Sequence, residues 1–147
     1  MILMWYPYDR KVKMLIARST DYAVRALCFM AKRGGLVTTV SLLVQELGVP
    51  KPFMRKIMQV LNKRGMLKSY KGIRGGFELS IDANDIHLID IMGIFQGPLR
   101  LNECIFKKKI CPNITTCYLS RKMQEIENYA YSALKNISIK SILEESD

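Results

Sequence analysis

Three thiols fall close together late in the chain: Cys104, Cys111 and Cys117, spaced C-x6-C-P-x4-C. Three thiolates at that spacing can converge on one metal centre. The C-x2-C pairs of most structural zinc sites are missing, which makes zinc the weaker reading. Iron–sulfur clusters are held by thiolates and normally take four ligands. Lys107, Lys108 and Lys109 stand between the first two cysteines, and their charge would offset that of a thiolate-held cluster. The plain alternative is three reduced, unliganded thiols, because free cysteine also packs as a small hydrophobe. A polar, lysine-rich setting argues against that packing role. Cys28 differs: it stands among Ala26, Leu27 and Met30 and reads as a packing residue. The single histidine, His87, reads as a helix-terminal or surface residue rather than a metal ligand. No histidine follows the third cysteine, so a fourth ligand must be a carboxylate, another thiol or a group from a partner subunit.

The second constellation is basic. Lys and Arg number 23 against 13 Asp and Glu, a net charge of +10. Such an excess favours polyanionic partners, nucleic acid first among them. The alternative, a merely basic solvated surface, is weighed by where the charges lie. Lys51, Arg55, Lys56, Lys63 and Arg64 share one short helical segment, and Lys68, Lys71 and Arg74 share the hairpin that follows.

The elements that must position these residues are legible from periodicity and punctuation. A helix is predicted over 19–33, capped by Ser19 or Thr20, with Asp21 in its first turn and Gly34-Gly35 as its stop. A second helix covers 41–47. The tight turn Gly48-Val49-Pro50 leads into a third, with Pro52 in its first turn and an apolar stripe of Phe53 or Met54, Ile57, Met58 and Leu61. Two short helices on such a turn match helix-turn-helix geometry. Residues 66–70 and 77–81 read as strands around the glycine-rich turn Lys71-Gly72-Ile73-Arg74-Gly75-Gly76. That hairpin is the wing of a winged helix.

A recognition helix points its N-terminal residues at the bases, which makes Lys51, Phe53, Met54, Arg55 and Lys56 the candidate contacts. At least one of Phe53 and Met54 is expected in the core. Lys71 and Arg74 would lie on phosphate or in the minor groove. Gly72, Gly75 and Gly76 would allow a tight turn and a close approach to DNA.

Further helices are predicted over 88–95 and 118–135, the latter with Leu119, Met123, Ile126, Ala130 and Leu134 on one face, and a last turn over 138–143. The fold class is thus mainly α with a small β-hairpin. The organisation is an extension or misplaced start (1–13), a winged helix-turn-helix domain (14–97), a cysteine loop (98–117), and a dimerisation helix with an acidic tail (118–147). No apolar run approaches the ~20 residues of a membrane span. Residues 1–13 do not form a convincing signal peptide. A cytoplasmic, reducing setting is expected, with neither membrane nor small-molecule substrate as partner. A small thiol enzyme or electron carrier is the rival class, weakened because the cysteines form no nucleophile–base arrangement with a His or acid.

The segments MLIARSTDYAVRALCFMA, VSLLVQELGVPKPFMRKIMQVLNKRGMLKSYKGIRGGFELS and IHLIDIMGIFQG, followed by the spaced cysteines, resemble the Rrf-type regulators, which include the IscR, NsrR, RirA and CymR types. The resemblance runs from Met14 to the C-terminus. It implies a homodimeric winged-helix repressor or activator, and the reading adopted is a repressor on a pseudo-palindromic duplex operator. In its sensing members three cysteines and one further residue hold an iron–sulfur cluster, which oxygen can strip from purified protein. By position Cys104, Cys111 and Cys117 match the cluster ligands. Ser120 stands where the IscR-like type has a ligand histidine, whereas Asp21 matches the carboxylate of the NsrR-like type, reaching across from the other subunit. The resemblance therefore implies a 4Fe–4S rather than a 2Fe–2S centre, sensitive to nitric oxide, redox or iron status. As a first-turn residue Asp21 has an ordinary structural reading as well. Two departures stand out: the first cysteine gap is six residues where five is usual, and Arg55 replaces an acidic residue that helps the IscR type choose its DNA motif.

Overall fold

The computed structural model describes residues 15–101 and 116–145. The extension 1–13, and Cys104 and Cys111 with most of their loop, lie outside the described residues. The order is α1 (Arg18–Lys32), α2 (Val40–Leu47), α3 (Lys51–Lys63), β1 (Leu67–Tyr70), β2 (Gly76–Leu79), α4 (Leu88–Phe95), α5 (Tyr118–Lys135) and α6 (Ile139–Glu144).

Helix α1 begins one residue earlier than its polar residues suggest. Its N-cap is Ala17, which has no capping side chain. The cap comes from another element: Gln96, just after α4, accepts from the Ala17 N–H through Oε1 at 2.8 Å. Thr20, expected as a cap, is fully buried and donates to the same oxygen at 2.8 Å. Gln96 Nε2 donates to the Leu15 carbonyl at 2.9 Å, so one side chain clamps the entry of α1.

The core gathers the inner faces of α1, α2 and α3 around Ala23, Leu27, Leu43, Met54, Met58 and Leu61. Ile139 of α6 is fully buried in this same cluster. The last helix returns to α1 because Leu88 N–H donates to Ile137 O at 2.8 Å and Ile139 N–H to Ile86 O at 2.9 Å. A capping box between Ser138 and Ser141 starts α6. A second cluster joins Leu88, Ile89, Met92 and Leu99 to Ala130 and Leu134 of α5.

The two strands pair antiparallel, Leu67 opposite Leu79 and Tyr70 opposite Gly76. A third strand-like contact was not expected from the sequence: Thr38 pairs with Phe77 through bonds of 2.7 and 2.9 Å. The β-branched run Val37-Thr38-Thr39-Val40 is the signal that could have revealed it. This pairing ties the hairpin to the start of α2, where Thr39 accepts from the Leu42 N–H at 3.1 Å.

The pairing also changes the role of two glycines. A Cβ on Gly76 would stand 2.7 Å from the Thr38 carbonyl oxygen, and one on Gly75 would collide with the Tyr70 carbonyl. Both answer to the protein's own backbone rather than to DNA. Gly72, with φ +99° and open space around it, is the glycine that makes the turn. Gly76→Ala is expected to lower stability by about 1–3 kcal/mol through forced backbone displacement, measured by urea unfolding. Gly93→Ala, at a helical site with open space, serves as the neutral comparison.

Candidate functional site

Gly48 ends α2 in the left-handed region at φ 64°, and its N–H donates to Val44 O at 3.0 Å. The chain then turns through buried Val49 and exposed Pro50 into α3. A Cβ at φ 64° is strained, so the turn between the helices depends on this glycine. The result is two helices crossing at a three-residue turn, with α3 presenting one face outward.

Helical rotation sorts the predicted contacts on α3. Met54, Ile57, Met58 and Leu61 are buried. The expectation that Met54 contacts DNA is therefore corrected: it is fully enclosed, because it shares the inward stripe with Met58 and Leu61. Phe53, its neighbour, is 61% exposed. Lys51 and Arg55, four residues apart, lie exposed on one flank of the helix. Phe53 and Lys56 lie on the other, in line with Val60 at the i, i+3, i+7 spacing.

At the wing, Lys71, Gly72, Ile73 and Arg74 are all exposed. Ile73 was not singled out in the sequence, yet it stands fully free at the tip between the two cations. Lys68 and Ser69 on β1 extend the exposed strip. Behind the tip, the Tyr70 hydroxyl donates to Glu78 Oε2 at 2.7 Å. That hydrogen bond, then the Glu78 charge, holds the phenol above its ordinary pKa. Lys71 and Arg74 have no acidic partner among the described residues. An exposed cationic helix flank beside an exposed cationic hairpin is an arrangement that can track a phosphate backbone.

The sequence itself matches a known family: residues 16–145 match Rrf2, described as iron-dependent transcriptional regulators. The chain belongs to the Rrf2 family. A protein of Aquifex aeolicus described as an HTH-type transcriptional regulator is 27% identical over 132 residues, 88% of this chain and 92% of that one. Among solved structures, CymR, the global cysteine regulator of B. subtilis, superposes with a TM-score of 0.74 at 19% identity, covering 90% of this chain and 98% of its own. IscR of T. potens gives 0.69 at 20% identity, covering 92% and 90%. The Rrf2 chain is accordingly a DNA-binding transcriptional regulator and not an enzyme.

Of the expected cluster ligands, the described residues include Cys117 and Asp21. Cys117 is the N-cap of α5, and its Sγ accepts from the Ser120 N–H at 3.5 Å. Asp21 sits on the outer side of α1, its carboxylate 3.0 Å from Arg25 Nε. Among the described residues no three His, Cys, Asp or Glu side chains converge. Cys28 is half-buried against the core, as its surroundings in the sequence imply. Burial pushes its thiol pKa up, and the Lys32 charge offsets only part of that. No described helix is long and apolar enough to cross a membrane.

Proposed function

We propose that this regulator is a homodimeric repressor that reads a pseudo-palindromic operator and senses nitric oxide, redox or iron status through an iron–sulfur cluster on Cys104, Cys111, Cys117 and Asp21. The observation that carries the sensing part is where the cysteine segment is tethered. The described chain before it ends at exposed Leu101, whose N–H donates to Glu127 Oε2 of α5 at 3.3 Å, and resumes just before the Cys117 N-cap of the same helix. Both tethers thus lie on α5, so ligation of the cysteines would act on that helix.

The donor set fits the group: three thiols and a carboxylate suit an iron centre, and a helix N-cap favours a thiolate. Asp21 is part-exposed and held by one surface arginine, so ligation would cost it a single exposed ion pair. When bound, the cluster supplies a centre that nitric oxide and oxidants attack. The protein's part is mechanical. The C-terminal half of α5 packs on α4 through Ala130 and Leu134, and α4 packs on α1, which in turn packs on α3. A shift of α5 therefore reaches the recognition helix through packed contacts. The signal works only insofar as the liganded state differs in free energy between DNA-competent and incompetent forms.

The dimer is supported by α5 itself. No residue of this helix is buried within the chain. Its N-terminal half exposes Leu119 and Ile126 on one face, with Tyr118 also exposed, apolar surface that a second copy would cover. DNA binding by Lys51, Phe53, Arg55, Lys56, Lys71 and Arg74 is supported by their exposure on α3 and the wing. Replacing Lys71 and Arg74 together by Ala is expected to lower the slope of log affinity against log salt by about 2, because each phosphate left without its cation removes close to 0.9. Fluorescence anisotropy with a labelled duplex at several salt concentrations measures it.

The test of the sensor is a visible spectrum with iron and sulfide analysis on anaerobically purified protein, beside Cys104→Ala. Brown protein with stoichiometric iron and sulfide, lost in the variant, is the expected result. Colourless protein even after anaerobic reconstitution would leave a DNA-binding regulator governed by thiol chemistry or by a partner protein.

A further inference from the structure

We propose that the chain binds a small organic anion with an aromatic or aliphatic body, in a cavity between the start of α1 and one flank of α3. The cavity measures about 400 Å³. That lies within the range of small-molecule sites, which are mostly apolar with a few placed polar groups. Its walls are Tyr22 of α1, Phe53 and Val60 of α3, and Phe95 at the end of α4. Among the described residues its charged groups are both cations, Arg18 and Lys56, and Ser19 lines it as well.

Three features specify the occupant. First, neither Arg18 nor Lys56 has an acidic partner among the described residues, so the cavity carries uncompensated positive charge. Second, no carboxylate of the described residues lines it, which disfavours cations and leaves an anion as the complementary ligand. Third, Phe53 is 61% exposed although it stands in an apolar recess, and an apolar body stacked there would remove that surface from water. A guanidinium and an ammonium beside a hydroxyl suit a carboxylate head, the guanidinium by paired hydrogen bonds.

The location gives the site a consequence, which rests on the DNA-binding reading above. Phe53 and Lys56 belong to the recognition helix. An anion seated on Lys56 removes that charge from phosphate contact and fixes α3 against α1. The ligand would then act as a second input, separate from the cysteine segment.

The probe is 1-naphthoate, titrated by calorimetry into the full chain without DNA, so the outcome does not depend on whether the chain reads DNA as proposed. Saturable binding is expected, weakened about tenfold or more for the uncharged analogue 1-naphthalenemethanol and for the Arg18→Gln/Lys56→Gln double variant. Val60→Trp, which fills the cavity, is expected to remove binding while circular dichroism and the melting temperature stay close to wild type. No saturable heat up to millimolar probe, equal affinity for the alcohol, or unchanged binding in both variants overturns the site. So does probe affinity that falls as protein concentration drives dimer formation, which would assign the cavity to a second copy. If 1-naphthoate binds as expected but leaves duplex affinity unchanged in anisotropy, the regulatory role is overturned.

Discussion

Ile126→Asp is expected to split the proposed homodimer while leaving the protomer folded. Ile126 is 52% exposed and is not among the residues packed on the α4 cluster, which include Ala130 and Leu134. Leu119 lies seven residues earlier, on the same face, and is also exposed. In a two-fold interface each copy places its own Ile126 near the axis-related face, so one substitution introduces two buried carboxylates. Losing a central apolar anchor and burying like charge costs about 2–4 kcal/mol of association, roughly 30- to 1000-fold in the dimer dissociation constant. Sedimentation velocity should report a monomer at micromolar concentration, with an unchanged melting temperature at matched monomer concentration. Affinity for a two-half-site duplex should fall with it, because one protomer grips only one half-site. A variant that stays dimeric would place the interface elsewhere.

Met54→Ala is expected to cost about 2–5 kcal/mol of stability, the usual range for emptying a buried methionine site. Against a typical stability of about 5–15 kcal/mol this is a large share. The lining of the vacated space would be Met58, Leu61 and their neighbours, which cannot collapse without moving α3 against α1. Thermal unfolding should show a drop on the order of 5–20 °C. Arg55→Ala, one residue away and exposed, should leave the melting temperature almost unchanged and weaken DNA binding instead. The pair separates core from interface within one helical turn. A Met54→Ala protein with normal stability and lost DNA affinity would restore Met54 to the interface.

Both predictions turn on which way a side chain faces, and that is where the sequence runs short. Residues 53 and 54 are a Phe and a Met at adjacent positions of an amphipathic helix, and either can complete the stripe of Ile57, Met58 and Leu61. Only the seating of α3 against α1 and α2 chooses Met54 for the core. The apolar stripe of α5 shows the same effect along its length. The pattern Leu119, Met123, Ile126, Ala130, Leu134 is regular, but α4 reaches only its C-terminal end.

By itself the sequence determined the elements and their order. Helices over 88–95 and 118–135, the tight turn at Gly48 and the hairpin with its basic tip were all legible, because pitch, stops and turn chemistry act between near neighbours. It also determined the charge excess and the spacing of the thiols. What the tertiary structure decided were pairings between residues far apart. Gln96 caps α1 from nearly eighty residues away, Thr38 pins the hairpin at Phe77, and Ile139 returns the last helix to the first core. Such contacts depend on which faces meet after collapse, and local periodicity carries no record of that.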